Sequence, residues 1–247
     1  MQSTKILKLL FILLFCNLIF SCASDEKKAD TPEAAFKIAK EFEDAERYLV
    51  AIQRYTEVKN KFPYSSYATE AELAIAEVHF KSEDYPEAQI TYQNFKELHP
   101  KHPKIDYVIF KIGMSYFNQL PETIDRDIAL ANDAIYSFNE LLKKYPNSPS
   151  IAEAKEYRQK AFVMLNQKEL YVADFYFKQQ QYDSATLRYI GSYKRFPDFG
   201  LQPRSLAGVI RSSAKLKDDE KLKTYRELLM TKFPDSDEAK AIKKEGL

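Results

Sequence analysis

Small and aromatic residues recur along this chain at the spacing expected of amphipathic helices. Ala51, Tyr55 and Val58 lie on one helical face, and residues 88–95 repeat the same arrangement. Apolar positions at i, i+4 and i+7 direct one stripe of a helix toward a core and leave the opposite face polar. After each such helix comes an aromatic residue or His and then Pro, which cannot continue a helix. This closing pair occurs five times, as Phe62-Pro63, His99-Pro100, Tyr145-Pro146, Phe196-Pro197 and Phe233-Pro234.

The spacing of these closing pairs indicates a helical repeat protein. From Pro63 through Pro100, Pro146 and Pro197 to Pro234, the intervals are 37, 46, 51 and 37 residues. Periods of this size are typical of stacked helical hairpins. A small residue with an aromatic four positions later resembles the tetratricopeptide repeat, because the small side chain lets two helices cross closely. The sequence therefore predicts an all-α fold, a right-handed superhelical solenoid of five tetratricopeptide-like helix hairpins.

The five predicted hairpins fall into two groups. Residues 31–147 hold repeats one to three, and residues 148–234 hold a long helix and repeats four and five. Residues 235–247 are predicted to be a polar tail with room for one capping turn. In repeat three, Gly113 occupies the position where two helices must touch, and residues 118–127 form an insertion between the helices.

Sequence signals also predict where several helices start. Thr31 followed by Pro32 predicts an N-cap and a first helical residue. Asp84, with Glu87 three residues later, predicts a capping box. Both pairs come directly before apolar-periodic segments, as a helix start should.

The region between repeats three and four carries two further predictions. Ser148 is expected to cap a helix over about residues 149–167, and no residue before 180 would stop that helix from continuing. The carboxylates of the 125–127 segment, Asp-Arg-Asp, are expected to complement the N-terminal dipole of the next helix. Arg126 would then hold the insertion by ion pairing.

The first residues do not belong to the repeat array. Residues 1–21 contain two lysines and then a 12-residue apolar stretch from Leu9 to Phe20, which is typical of a secretory signal and too short to span a bilayer as a helix. The signal ends at Cys22 in a sequence that resembles a lipoprotein processing site. We therefore expect lipidation of Cys22, a short polar tether over residues 22–30, and a location at the periplasmic face of the outer membrane. The alternative is an ordinary signal peptide with an incidental Cys.

Charge and chemistry exclude several classes of function. The chain has 37 basic and 36 acidic residues, so there is no electrostatic case for a nucleic-acid partner. Its three histidines, His79, His99 and His102, have no Cys, Ser or carboxylate neighbours at metal-ligand or triad spacing. The sequence therefore predicts a protein that is not an enzyme and has no metal or cofactor beyond the lipid on Cys22. We expect His99 and His102 to pack a turn and His79 to substitute for a core aromatic.

The helix positions that line the concave face of such a repeat are rich in aromatic residues. The candidates for a peptide-binding groove are Phe36, Leu73, Phe80, Tyr107, Phe110, Met114 and Phe117. A groove with exposed rings suits an extended peptide that ends in an aromatic residue. The alternative is that neighbouring helices or the 118–127 insertion bury these rings.

An ordered set of motifs resembles one bacterial family. The motifs are Phe62-Pro63-Tyr64 with Tyr67, His102-Pro103 with residues 105–108 and Gly113, Asp125-Arg126-Asp127, Tyr145-Pro146-Asn147-Ser148 and Val172-Ala173. Together with Cys22 and the five repeats, they make the chain similar to the BamD family of lipoproteins in the machinery that folds β-barrels into the outer membrane.

The resemblance implies a role and partners. It implies a lipid-anchored scaffold that binds the periplasmic domains of the barrel subunit BamA and works beside other lipoproteins of the complex. It also implies that the N-terminal repeats receive the C-terminal signal of unfolded outer-membrane proteins. Lys194 and Arg195 match a basic position on the BamA-facing side, although they could equally complement a helix dipole. The alternative function is a tetratricopeptide lipoprotein of another envelope machine, such as a pilotin or a division factor.

Overall fold

The computed structural model describes residues 30–247, and this part of the chain contains eleven helices and no strand. The predicted signal peptide, the lipidation site Cys22 and almost all of the predicted tether lie outside the described residues. The helices are α1 (Pro32–Asp44), α2 (Tyr48–Lys61), α3 (Ser66–Lys81), α4 (Tyr85–Leu98), α5 (Ile105–Asn118), α6 (Leu130–Lys144), α7 (Ile151–Lys178), α8 (Tyr182–Arg195), α9 (Gln202–Leu216), α10 (Asp219–Lys232) and α11 (Asp237–Lys244). The prediction of an all-α fold is confirmed.

The chain forms two compact units, and the boundary lies between Ala71 and Glu72, inside α3. The predicted grouping of the repeats into residues 31–147 and 148–234 is a different division, and it stays a prediction. In the first unit, the side-chain oxygen of Thr31 accepts a hydrogen bond from the Ala34 amide and Pro32 opens α1, as predicted.

The α1–α2 hairpin of the first unit closes over a buried acid. Glu43 is almost fully buried and accepts a hydrogen bond from the Tyr55 hydroxyl at 2.6 Å. The Lys40 ammonium also lies 3.0 Å from Glu43. A buried carboxylate is tolerated where it has such partners, so this contact helps to fix the crossing of α1 and α2.

In the second unit, each helix packs mainly against its neighbours in sequence. Glycine provides two of the close helix contacts. A Cβ on Gly113 would lie 2.6 Å from Phe138 of α6, and a Cβ on Gly208 would lie 2.5 Å from Tyr189 of α8. The prediction that helices touch at Gly113 is therefore confirmed. Fully buried side chains fill the rest of these interfaces, among them Tyr92 and Leu170.

The closing pairs end their helices with one recurring geometry. At Phe62, His99, Tyr145 and Phe233 the φ angles are −129°, −126°, −132° and −136°, and each backbone amide still bonds to the carbonyl four residues earlier. The following Pro has no amide hydrogen to extend this ladder. Phe196 differs, since it is extended at φ −110° and ψ 142°.

Two predicted caps are wrong in detail. Asp84 makes no side-chain cap to α4, because its carboxylate lies 3.2 Å from Nδ1 of His79 instead. The long helix α7 starts at Ile151 after Ser150, and the Ser148 hydroxyl accepts a hydrogen bond from the Ser150 amide, which lies before the helix. The helix then continues without a break to Lys178. This confirms that it extends past residue 167 into the segment before residue 180.

The insertion after α5 is present, and a residue distant in the sequence holds it in place. Asp127 accepts a hydrogen bond from the Ala129 amide at 2.9 Å, close to the start of α6 as the dipole argument expected. The contact that ties the insertion down comes from Lys168 of α7. Its ammonium donates to the carbonyls of Asp125 and Arg126 at 3.0 and 3.2 Å, so Arg126 contributes its backbone rather than the predicted ion pair.

The C-terminal segment is a packed helix rather than a polar tail. Ser236 caps α11 by accepting the Ala239 amide. Ala239 and Ile242 are fully buried in a cluster with Leu206, Ile210 and other residues of α9 and α10. Because an end repeat would otherwise expose its apolar face, α11 acts as the cap of the array.

Candidate functional site

Three of the seven predicted groove residues lie in the core. Leu73, Phe110 and Met114 are 4%, 5% and 6% exposed. Leu73 packs with Tyr92 and other residues of α4 and α5, while Phe110 and Met114 pack in the cluster around Phe138. The prediction that these three line an accessible groove is wrong, because the neighbouring helices cover that face.

The other four predicted groove residues are half-buried. In the first unit, the Phe36 ring lies 5.1 Å from Tyr55 and 5.6 Å from Tyr67, measured between centroids. In the second unit, Phe117 of α5 makes an edge contact with Tyr157 of α7 at 4.9 Å. Peptide binding by these rings stays a prediction.

Phe80 and Tyr107 join two charged residues in what we call the Lys111 cluster, formed by Glu77 and Phe80 of α3 and Tyr107 and Lys111 of α5. The Lys111 ammonium lies 3.8 Å from the centroid of the Phe80 ring and 5.7 Å from that of Tyr107. Both distances are within the range of cation–π attraction. The cluster therefore combines a cation with two ring surfaces.

Electrostatics within the Lys111 cluster keep Tyr107 protonated. Burial raises the pKa of Tyr107 to about 12, the negative charge of Glu77 and a hydrogen bond to it act in the same direction, and a hydrogen bond with Tyr92 opposes them. The phenol of Tyr107 is thus neutral at neutral pH. Burial also lowers the pKa of Lys111, despite the opposing attraction of Glu77 and Glu153.

Sequence reasoning missed Lys111. The signal was present, since Lys111 is the only basic residue in the apolar α5 sequence Ile-Asp-Tyr-Val-Ile-Phe-Lys-Ile-Gly-Met-Ser-Tyr-Phe-Asn. A cation in such a helix must be explained by a partner or by function. Its position four residues after Tyr107 places both side chains on one face.

The two basic residues predicted on the C-terminal side have different environments. The Arg195 guanidinium forms an ion pair with Glu169 of α7 at 2.6 Å, and Arg188 pairs with the same carboxylate at 3.0 Å. The hydrogen bond that Arg188 donates to Glu169 raises the pKa of Arg188. Lys194 is exposed on α8. Arg195 therefore helps to hold α8 on α7, and Lys194 is the residue open to a partner.

His99 and His102 pack at the turn that follows α4, as predicted. Nε2 of His99 lies 2.6 Å from a Glu72 carboxylate oxygen, and its ring lies 4.8 Å from that of Phe95. His102 makes an edge contact with Phe95 at 5.0 Å. Among residues 30–247, no three His, Cys, Asp or Glu side chains are grouped so that they could hold a metal ion.

Beside these histidines, two repeat exits enclose an open cleft of about 560 Å³. Its lining residues are Pro100 to Pro103, Ile105, Asp106 and Lys144 to Pro149. The Lys144 ammonium in this wall is paired with Glu140 at 2.9 Å. The cleft is rich in proline, and none of the predicted groove residues lies in it.

Comparison with known proteins finds similarity to outer membrane lipoproteins and assembly factors. The model of the family YfiO, described as an outer membrane lipoprotein, matches residues 28–237. The outer membrane protein assembly factor BamD of Neisseria gonorrhoeae is 29% identical over 207 residues, which cover 78% of this chain and 76% of that protein. BamD of Vibrio cholerae is 24% identical over 231 residues, covering 88% and 95% of the two chains.

Two solved structures show partial similarity to this chain. PilF of Pseudomonas aeruginosa is 17% identical over 87% of this chain and 82% of that one, with a TM-score of 0.38. The TPR2AB domain of yeast Sti1 is 14% identical over 84% and 80% of the two chains, with a TM-score of 0.43. Separately, none of the helices between residues 30 and 247 is both long enough and apolar enough to cross a membrane.

Proposed function

This chain belongs to the outer membrane lipoprotein family YfiO, and from that premise we propose that it is a lipid-anchored, non-enzymatic scaffold of the machinery that assembles outer membrane proteins. The observation that carries the proposal is the family match over residues 28–237, which includes ten of the eleven helices in full. The relatives from Neisseria and Vibrio are named as outer membrane protein assembly factors. A repeat array with a capped end suits such a role, because it offers large surfaces to other polypeptides.

Anchoring of this scaffold would depend on Cys22. A lipid on that thiol would hold the chain at the membrane, and more than one acyl chain is needed for stable attachment. The Cys22→Ser protein should lose labelling by a clickable palmitate analogue and move to the soluble periplasmic fraction. Retention of both label and membrane association by this variant would contradict the anchor.

The surface around Lys194 is our candidate contact with a BamA-like barrel subunit. Lys194 is exposed, whereas Arg195 is occupied by Glu169. Lys143 provides a matched control, since it is exposed and occupies the same position before the Tyr145-Pro146 exit as Lys194 does before Phe196-Pro197. Charge reversal at Lys194 should weaken co-purification of the barrel subunit, and Lys143→Glu should leave it unchanged. Equal losses in the two variants would contradict a specific contact.

The half-buried rings of the Lys111 cluster are our candidate receptor for the C-terminal signal of unfolded outer-membrane proteins. Phe80 and Tyr107 keep part of their surface accessible, unlike Phe110. An extended segment ending in an aromatic residue could place that ring against them. This contact belongs to the same proposed scaffold and needs no catalytic group.

One experiment tests the function as a whole. The chain is affinity-tagged and extracted with its envelope in mild detergent, and co-purifying proteins are identified by mass spectrometry. We expect a BamA-like barrel protein and further lipoproteins, and we expect depletion of the chain to lower the level of outer-membrane porins. Recovery of a pilus secretin or division proteins in place of the barrel protein, with porins unchanged, would support the alternative envelope machine.

A further inference from the structure

Tyr64 is an exposed aromatic residue at a position where the other repeats carry a polar one. It follows the closing pair Phe62-Pro63, and its relative exposure is 101%. After the other four closing pairs, the next residue is Lys101, Asn147, Asp198 or Asp235. A fully exposed ring adds nothing to the packing of its own chain, because hydrophobic stabilisation requires that surface be removed from water. The reason for an aromatic residue here therefore lies outside the fold of the hairpin.

The turn that carries this ring, residues 62–65, is here called the Tyr64 turn. It is closed by a hydrogen bond from the Ser65 amide to the Phe62 carbonyl at 3.0 Å. Residues 62–69 contain no charged side chain, and Pro63 is exposed beside Tyr64. The exposed Lys61 before the turn places its ammonium 5.2 Å from the centroid of the Phe62 ring. Tyr and Lys each join an apolar body to a polar end, and such side chains are favoured where water meets lipid.

The Tyr64 turn lies at the end of the α1–α2 hairpin where the predicted tether joins it. The Phe36 ring, in the first half of α1, lies 5.6 Å from the ring of Tyr67, three residues after Tyr64. This contact places the turn beside the start of α1. Eight peptide units separate Cys22 from Asp30, and they reach at most about 29 Å when fully extended. A lipid on Cys22 would therefore keep this end of the first unit within about 30 Å of the membrane surface.

The two ends of the α1–α2 hairpin differ in charge. Residues 40–49, at the end away from the tether, carry four acids and two bases, and Asp44 and Glu46 are exposed there. Residues 30–37 and 58–69, at the tether end, carry two acids and three bases. Removal of a carboxylate from water is costly, so the tether end is the better suited of the two to contact lipid.

We propose that the Tyr64 turn contacts the headgroup region of the phospholipid layer that holds the lipid anchor, with the Tyr64 ring inserted among the lipids. This inference rests on the proposed function, because it requires the lipid on Cys22. One ring binds lipid weakly by itself, but the tether raises its local concentration at the membrane, as a first binding event does for a second. The contact would fix the direction in which the first unit extends from the membrane.

The test uses Trp fluorescence, because the chain has no Trp of its own. The Tyr64→Trp chain is purified from the envelope and reconstituted in vesicles of phosphatidylethanolamine and phosphatidylglycerol, with or without brominated acyl chains. We expect its emission to shift to shorter wavelength in vesicles and to be quenched by the brominated lipid. The matched control is Leu49→Trp, since Leu49 is 86% exposed and the length of α2 places it about 20 Å away on the same hairpin. Its emission should be the same with both lipids, and circular dichroism should show unchanged helicity in both variants.

A second measurement uses the unsubstituted chain, because Trp itself favours the membrane interface. Hydroxyl-radical labelling, read by mass spectrometry, is compared between the vesicle-bound chain and the Cys22→Ser chain in buffer. We expect Tyr64 to lose most of its labelling in the vesicle-bound chain, and Leu49 to be labelled equally in the two samples.

The outcomes separate this inference from the proposed function. A chain that floats with the vesicles, but shows neither quenching in Tyr64→Trp nor reduced labelling of Tyr64, keeps its anchor and overturns the inference. Equal quenching of Tyr64→Trp and Leu49→Trp also overturns it, because the hairpin would then contact lipid without a preferred end. If the chain does not float with the vesicles, the anchor of the proposed function fails and this inference fails with it, although co-purification with the barrel subunit would still support the scaffold role.

Discussion

Replacement of Gly113 by Ala tests whether the close contact of α5 and α6 is as tight as the structure shows. The new Cβ would lie 2.6, 2.8 and 3.0 Å from Cε1, Cδ1 and Cζ of Phe138. Carbon atoms normally approach to about 3.5–4.0 Å, so the ring or the helix must move by about 1 Å. Phe138 is fully buried, and it has no solvent-exposed space into which to turn.

The expected magnitude is the difference between two effects. Overpacking of a filled core costs about 1–3 kcal/mol, and a shift of this size in a fully buried ring belongs at the upper end. Ala is favoured over Gly inside a helix by about 1 kcal/mol. The net destabilisation should therefore be about 1–2 kcal/mol. At roughly 2–4 °C per kcal/mol for a chain of this size, the thermal midpoint should fall by about 2–8 °C.

Gly191 supplies the matched control, because it also lies inside a helix but a Cβ there would meet only the end of a flexible side chain. A Cβ there would meet the side chain of Arg195, whose nearest atom, Nη2, is 3.1 Å away. A half-exposed guanidinium can move at little cost, so helix propensity should dominate and Gly191→Ala should be neutral or stabilising by up to about 1 kcal/mol.

Thermal and urea unfolding, followed by circular dichroism at 222 nm, measure both variants. A Gly113→Ala protein as stable as Gly191→Ala, or more stable than the unsubstituted chain, would refute the argument. That result would mean that the two helices are farther apart at this crossing than described.

Two further changes test other parts of the second unit. Burial would raise the pKa of Glu140, but hydrogen bonds from Lys144 and Lys96 outweigh it and lower that pKa below 4.5. The resulting stability is present above pH 4.5 and is lost as the pH falls through the lowered value. In urea unfolding, Glu140→Gln should therefore be less stable than the unsubstituted chain by about 1 kcal/mol at pH 7. Near pH 2 the two proteins should have the same stability. Because Ile242 is fully buried, Ile242→Ala should lower the opening free energy of α11 by about 2–4 kcal/mol, read as faster hydrogen exchange over residues 237–244. Lys243→Ala, at an exposed position, should leave that exchange unchanged, and equal protection in the two variants would show that α11 does not pack as described.

Local signals predicted most of the helices and their ends. The Phe-Pro, His-Pro and Tyr-Pro pairs end helices at Phe62, His99 and Tyr145 as expected, because a Pro cannot continue a backbone hydrogen-bond ladder whatever surrounds it. The cap at Asp84 failed because His79, five residues earlier, is a competing partner for the same carboxylate. Composition could not indicate which of the two contacts would form.

The candidate site was predicted less well than the fold. Helical spacing placed Phe80, Tyr107 and Phe110 on one face of their helices, but it could not tell which of them a neighbouring helix would cover. Phe110 is covered in the cluster around Phe138, whereas Phe80 and Tyr107 remain partly open beside Lys111. The polar appearance of residues 235–247 likewise concealed two buried side chains.

The sequence by itself determined the helical period, the small residues at which helices cross and the points where helices end. These features depend on residues a few positions apart, and the backbone of a single helix is enough to express them. The tertiary structure alone decided which apolar faces are buried, that α11 caps the array, and that Lys111 has rings rather than a carboxylate beside it. Those features depend on side chains from helices distant in sequence, and their distances exist only once the helices have packed.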